Sequence, residues 1–284
     1  MHKLIDILNK SREYLEKKNI DSARLNAELL ISNVLNMKRL DLYLNYERPM
    51  QEDEIEIIRE YIKRRGEGEP FQYIIGKEDF YGLTFNVNSN VLIPRADTEI
   101  LVEKSLNLIN SIEKPTVLDI GTGSGAIAVS IAKNRGDSYV LACDISEKAL
   151  EIAASNGELN KVSNIKFVKS NLFENIKYKS FNLIVSNPPY IREEDYKDLM
   201  REVKKFEPKL ALTAEENGLY FYRIITQESW KYLADEGYLV FETGYDQAED
   251  VKELIEKTGK YYEIEITKDY NGINRVVSAK KCIN

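Results

Sequence analysis

Thr116-Val117-Leu118-Asp119-Ile120-Gly121-Thr122-Gly123-Ser124-Gly125 decides the fold. The first five residues read as an apolar strand. Three glycines in the next five make a tight turn, and residues 126–134 read as a helix. Glycine tolerates positive φ and lets a ligand approach the backbone closely. The same alternation continues outward. Strands are expected at 139–143, 165–168, 181–185 and 238–242, and helices at 147–159, 217–233 and 247–257. Two further strands, 261–267 and 275–278, have no helix between them and are expected to be antiparallel. Seven strands alternating with helices imply an α/β, doubly wound, Rossmann-like sheet that is mainly parallel.

Upstream the pattern changes. Residues 1–68 read as four short amphipathic helices, an all-helical bundle. They cover Leu4 to Leu15, Ala23–Leu35 with Asp21 as N-cap, 39–46 and 51–64. This unit is expected either to dock a substrate or to cap the second domain. Residues 69–95 read as a β-hairpin linker turning at Gly82, able to pack over the active site. A helix follows from about Asp97 to Asn110, and the catalytic domain is expected over 96–284.

Composition narrows the function. Of 284 residues, 43% are hydrophobic, the net charge is -7, and the sequence pI is about 5.2. That charge argues against bare duplex DNA as main partner. The only histidine is His2, which disfavours histidine base, triad and metal-ligand chemistry. Cys143 and Cys282 form no metal or disulfide pattern, so no metal is expected, and Cys143 reads as a core residue. No run is long enough to span a membrane. A cytoplasmic, monomeric protein is expected.

Two stretches carry the chemistry. The glycine loop, with Asp144 ending the next strand, fits a nucleoside cofactor whose ribose hydroxyls an acid can bind. Gly121-x-Gly123-x-x-Ala126 would equally satisfy an NAD pattern, and a tight turn without ligand would also explain the loop. The second stretch is Ile184-Val185-Ser186-Asn187-Pro188-Pro189-Tyr190. Prolines stop the strand and hold Asn187 extended at its carboxyl end. Asn187 Oδ1 and the Pro188 carbonyl are two acceptors for a planar NH2 group, and Tyr190 offers an aromatic face. Converging on one sheet edge, the two sites favour methyl transfer over hydride transfer, which would want an acid/base partner.

The chain closely resembles the N5-glutamine methyltransferases that modify class-1 peptide chain release factors. The matching pieces are Gln72-Tyr73-Ile74-x-Gly76, Phe80-x-Gly82-x-x-Phe85-x-Val87 and Val91-Leu92-Ile93-Pro94-Arg95-x-x-Thr98-Glu99. They continue through Asp119–Ala128, Asp144-Ile145-Ser146-x-x-Ala149-Leu150 and Ser186-Asn187-Pro188-Pro189-Tyr190-Ile191. The last are Glu207-Pro208-x-x-Ala211-Leu212, Gly218-Leu219-x-x-Tyr222-Arg223 and Gly272-x-Asn274-Arg275-Val276-Val277. Departures are Ala96 for a usual proline, Thr213-Ala214 for a glycine pair, Asn171 for a usual aspartate and Leu172 for the tryptophan of some members.

The resemblance implies transfer of a methyl group from S-adenosylmethionine to the side-chain amide of the glutamine in a Gly-Gly-Gln loop, leaving S-adenosylhomocysteine. It places Gly121, Thr122, Gly123, Ser124 and Gly125 at the methionine part, Asp144 at the ribose, and Asn171 and Leu172 near the adenine. Asn187 also borders the cofactor. Asn187, Pro188, Pro189 and Tyr190 receive the glutamine, and Asn187, Pro188 and Tyr190 are the catalytic set. The partner is then a release factor, with neither membrane nor nucleic acid. Competing readings are glutamine methylation of a ribosomal protein, N6-adenine methylation, shared through the Asn-Pro-Pro-Tyr element, and a cofactor-binding module without activity.

Overall fold

The computed structural model describes residues 2–283. In chain order the first elements are α1 (Leu4–Lys17), α2 (Ala23–Leu35), α3 (Arg39–Leu44), α4 (Glu52–Gly66) and α5 (Phe71–Ile75). Their apolar faces meet in one core: Leu4, Ile7 and Leu8 of α1, Ala27, Leu30 and Ile31 of α2, and Ile55, Ile58 and Ile62 of α4. Each leucine or isoleucine among them, fully buried, stabilises by roughly 1.5–3 kcal/mol. Asp21 is not the N-cap of α2. Ser22 takes that position in a left-handed conformation, without a side-chain cap.

The hairpin β1 (Lys77–Phe80) and β2 (Leu83–Asn86) comes next, then α6 (Thr98–Leu108), β3 (Thr116–Ile120), α7 (Ala126–Asn134), β4 (Tyr139–Asp144), α8 (Glu147–Leu159), β5 (Ile165–Lys169) and β6 (Phe181–Ser186). The chain continues through β7 (Ile191–Arg192), α9 (Arg201–Phe206), β8 (Thr213–Ala214), α10 (Tyr220–Ser229), β9 (Leu233–Glu242), α11 (Ala248–Lys257), β10 (Tyr261–Lys268) and β11 (Asn274–Lys281). Two compact units result. One runs to Gly76 and includes Met200–Phe206; the other holds Lys77–Leu199 and the chain from Glu207 onward. The segment 69–95, read from the sequence as a linker, is therefore divided, with α5 in the first unit and the hairpin in the second.

The second unit is built on a seven-stranded sheet of order β10-β11-β9-β6-β3-β4-β5. Only β11 runs against its neighbours, as the pairing of the last two strands without a helix predicts. Alternate residues enter opposite cores: Val117, Val140, Ala142, Leu183 and Val185 on one face, Leu118, Leu141, Cys143 and Ile184 on the other. Burial on both faces explains why these strands read as continuous apolar runs. Cys143 is buried, and burial pushes its thiol pKa up. Strand β3 pairs with β4 on one side and β6 on the other, so the order reverses there. The carboxyl edge beside that reversal is where open α/β sheets bind ligands.

One helix differs from its sequence reading. Residues 217–233 were expected to be helical, but α10 spans only Tyr220–Ser229. Glu216, Asn217 and Gly218 all have positive φ, which delays the start. At the other end the Tyr232 carbonyl accepts from the N–H groups of Ser180 and Phe181, drawing the chain into the sheet. Strand β9 then begins at Leu233, five residues before the expected start. Its register shifts opposite Phe181/Leu183, where Ala234-Asp235-Glu236-Gly237 bulges. Among the described residues, no helix is long and apolar enough to cross a membrane.

Candidate active site

A cavity of about 230 Å³ opens at the carboxyl ends of β3, β4 and β6. Its floor is the glycine loop. The N–H groups of Gly121 and Thr122 both donate to the Cys143 carbonyl at 2.9 Å, folding the loop back over β4. Gly121 and Gly123 have positive φ, and a Cβ at either would meet nothing within 4 Å. Open space therefore faces this backbone, the condition for close approach by a ligand. Thr122 has a different task. Its hydroxyl donates to Asp119 Oδ2 at 2.6 Å, beneath the loop. Asp119 is fully buried, and desolvation pushes its pKa up to about 7, against the Thr122 bond.

Asp144 ends β4 beside the loop. Its two oxygens accept from the N–H groups of Gly123 and Ser146, each at 2.9 Å. A carboxylate has about four acceptor positions, so lone pairs are left for hydroxyls. The loop after β5 completes this end. Asn171 and Leu172 line the cavity, with Leu172 in the left-handed region at φ 48° and its carbonyl held by the Ser170 hydroxyl.

At the end of β6, Ser186 Oγ donates to the Ile120 carbonyl at 2.7 Å, tying β6 to β3 just before the prolines. Asn187, Pro188 and Pro189 line the cavity. Asn187 Nδ2 donates to Thr98 Oγ1 at 3.3 Å, at the start of α6. That leaves Oδ1 as the free acceptor. Tyr190 is not part of the cavity lining. It packs against the core, and burial pushes its phenol up to about 12. Its carbonyl accepts from Gln247 Nε2 at 3.0 Å, while Gln247 Oε1 accepts from the Gly244 N–H. Gly218 sits against the same carbonyl, where a Cβ would lie 2.1 Å from the oxygen.

The motifs of the linker and the late chain are held by polar contacts among themselves. Glu99 Oε1 accepts from the Tyr81 N–H at the hairpin tip, at 2.7 Å. Arg95 pairs with Glu207 at 2.5 Å. Arg275 pairs with Asp97 at 3.1 Å and Asp269 at 3.4 Å. Asn90, Val91 and Leu92 line the cavity, so the segment after the hairpin does border the site. Buried Asn156 of α8 joins the hairpin to the glycine loop. Its Oδ1 accepts from the Asn86 N–H, and its Nδ2 donates to the carbonyls of Asn86 and Ser124.

The cavity thus gathers Gly121, Gly123, Asp144, Asn171, Leu172, Asn187, Pro188 and Pro189. Thr122, Ser124 and Gly125 lie outside its lining and shape the loop instead; Gly125 is the N-cap of α7 at φ 81°. Among the described residues, no cluster of side chains could hold a metal ion. Thr98, Asn156, Glu242 and Gln247 were not singled out from the sequence as site residues. Thr98 stood within a quoted motif, but nothing local marks the other three.

Similarity to known proteins spans both units of the chain. A family model of the PrmC N-terminal domain matches residues 6–76, and one of the methyltransferase small domain matches residues 96–206. The release factor glutamine methyltransferase of Fusobacterium nucleatum is 45% identical over 281 residues, 98% of this chain and 79% of the relative. The Bacillus subtilis protein of the same name is 42% identical over 89% of this chain and 90% of its own. A methyltransferase from Pyrococcus furiosus shares the fold, with a TM-score of 0.53 at 20% identity, over 72% of this chain and 91% of that one. Near-full-length identity at this level, over both the helical unit and the sheet that carries Asn187, places the chain in the release factor glutamine methyltransferase family.

Proposed function

We propose that this protein methylates the side-chain amide nitrogen of the glutamine in the Gly-Gly-Gln loop of class-1 peptide chain release factors, with S-adenosylmethionine as methyl donor, in the cytoplasm. The observation that carries the proposal is the state of Asn187: its NH2 is committed to Thr98, so Oδ1 is turned out as an acceptor on the cavity lined by Gly121, Gly123 and Asp144. The helical unit is read as the docking module for the release factor.

The residues present fit the donor. Gly121 and Gly123 leave open space over their backbone, Asp144 keeps acceptor capacity for ribose hydroxyls, and Leu172 offers an apolar surface for a base. Asn171, Thr122, Ser124 and Gly125 complete that end by shaping the two loops. When bound, S-adenosylmethionine supplies an activated methyl group on a sulfonium.

The protein's own residues make the acceptor competent. A primary amide nitrogen is a poor nucleophile because its lone pair is delocalised into the carbonyl. Asn187 Oδ1 and the Pro188 carbonyl each accept one N–H of the glutamine. Together they hold its plane and favour electron density at nitrogen. The same two oxygens stabilise the positive charge that grows on that nitrogen as the N–C bond forms. Pro189 keeps the two acceptors rigid, and Tyr190, packed against the core outside the cavity lining, anchors the end of the loop through its carbonyl, which accepts from Gln247 Nε2. Positioning supplies the remaining rate, and the proton leaves to solvent after bond formation, so no strong base is needed.

The test is transfer of labelled methyl to a purified release factor, to the same factor with its Gly-Gly-Gln glutamine changed to alanine, to ribosomal protein, and to duplex and single-stranded DNA. Label on the intact release factor alone is the expected result. Label on DNA would make Asn187-Pro188-Pro189-Tyr190 an adenine site and overturn the proposal.

A further inference from the structure

The acceptor role of Asn187 depends on which way its amide is turned, and shape does not decide that. The oxygen and NH2 ends of a carboxamide are nearly the same size. Thr98 does not decide it alone, because a hydroxyl donates and accepts. Glu242 does. It ends β9, is 2% exposed, and lies against both Thr98 and Asn187; burial pushes its carboxyl up to about 7, and the polar hydrogens of Thr98 and Asn187 pull the other way, favouring the charged form. Its Oε2 is nevertheless buried without a hydrogen-bond partner. Arg275 favours the charged form from a distance but forms no ion pair with it: its guanidinium is shared between Asp97 and Asp269 and also donates to the Thr243 carbonyl. An ionised carboxylate can only accept.

Resting on the function proposed above, we infer that Glu242 is the positioning residue that, through Thr98, turns the Asn187 amide so that Oδ1 faces the substrate NH2. With Glu242 ionised, the Thr98 O–H points toward the carboxylate. The Thr98 lone pairs are then left for Asn187 Nδ2, the arrangement the structure contains. The reverse arrangement would set Asn187 Oδ1 beside a carboxylate, acceptor against acceptor. A neutral carboxamide at 242 removes the bias. Its NH2 can donate to Thr98, the Thr98 O–H can donate to Asn187 Oδ1, and Nδ2 is then turned toward the substrate, donor against donor. The chain from 242 through 98 to 187 acts as a polarity relay that touches no substrate atom itself.

The experiment uses the full chain as wild type, Glu242→Gln, Thr98→Val and Thr98→Ser. Three quantities are read: labelled methyl transfer to the release factor, S-adenosylmethionine binding by calorimetry, and competition by a release factor whose Gly-Gly-Gln glutamine is replaced with glutamate, an acceptor-only side chain. Glu242→Gln should lower kcat about 100-fold, the scale of losing one preorganised transition-state contact, with cofactor affinity unchanged. It should also shift the preference between glutamine and glutamate factors toward glutamate, because a turned Asn187 now donates. Thr98→Val should behave alike, and Thr98→Ser should recover most of the lost rate. An unshifted preference, or wild-type kcat in Glu242→Gln beside an active wild type, overturns this inference alone. A wild type that labels no release factor overturns the proposed function and this inference with it.

Discussion

Replacing Asn156 with leucine removes three hydrogen bonds while nearly preserving shape. Asn156 is fully buried, and its amide spans 2.7 Å to the Asn86 N–H, 3.0 Å to the Asn86 carbonyl and 2.8 Å to the Ser124 carbonyl. Each bond contributes about 1 kcal/mol net, and the abandoned backbone groups add desolvation cost, so Asn156→Leu should destabilise the sheet-containing unit by about 3–5 kcal/mol. Trp230, the chain's single tryptophan, lies in that unit, so its fluorescence in urea reports the right transition. The Asn86 amide should also exchange faster with deuterium. Because Ser124 belongs to the glycine loop, the cofactor Kd should rise about tenfold, equivalent to 1.4 kcal/mol. A destabilisation below about 1 kcal/mol, the value of a single hydrogen bond, with Asn86 still protected, would refute the view that one side chain fastens the hairpin to the loop.

Gly218→Ala should destabilise the same unit by several kcal/mol, on the order of 2–4, because its Cβ would lie 2.1 Å from the Tyr190 carbonyl oxygen at a φ of +82°; a variant with unchanged Tm would contradict this. Asp144→Asn should weaken cofactor binding about 10–100-fold, the loss of a charge-assisted hydrogen bond, which calorimetry measures directly. Stability should also depend on pH with a definite sign. Asp119 is raised from the ordinary carboxylate range to about 7 by burial, so between about pH 4 and 7 the folded state binds more protons than the unfolded state. Stability should therefore fall as pH rises through that window and level off above it, and Asp119→Asn should reduce the total fall across the window by on the order of 4 kcal/mol. Equal pH slopes in the two proteins would refute the assignment.

Much of this molecule was legible in the sequence because period and punctuation are local. Apolar runs of five residues at 116–120, 139–143 and 181–185, bounded by turn residues, read as buried strands by length and punctuation, and each falls within a strand of the central sheet. The glycine loop and the paired prolines mark the two ends of the site by backbone chemistry alone. What was not legible depends on distant partners. Thr98 meets Asn187 across 89 residues, and Asn156 meets Asn86 across 70. The helix expected over 217–233 is shorter than its apolar period implies because three positive φ angles at 216–218 delay its start and the Tyr232 carbonyl, bound to β6, ends it early. The bulge in β9 was hidden for a similar reason. Ala234-Asp235-Glu236-Gly237 looks like a turn, and only pairing with β6 makes it strand.

The most direct measurement compares Asn187→Ala with wild type in two assays: kcat for methyl transfer to a release factor, and Kd for S-adenosylmethionine. Alanine removes the acceptor for one substrate N–H but leaves Gly121, Gly123 and Asp144 in place. The account predicts a fall in kcat of about 100–1000-fold, the usual consequence of deleting one preorganised transition-state contact, with Kd nearly unchanged. Wild-type kcat in Asn187→Ala, or a loss confined to cofactor binding, would contradict it.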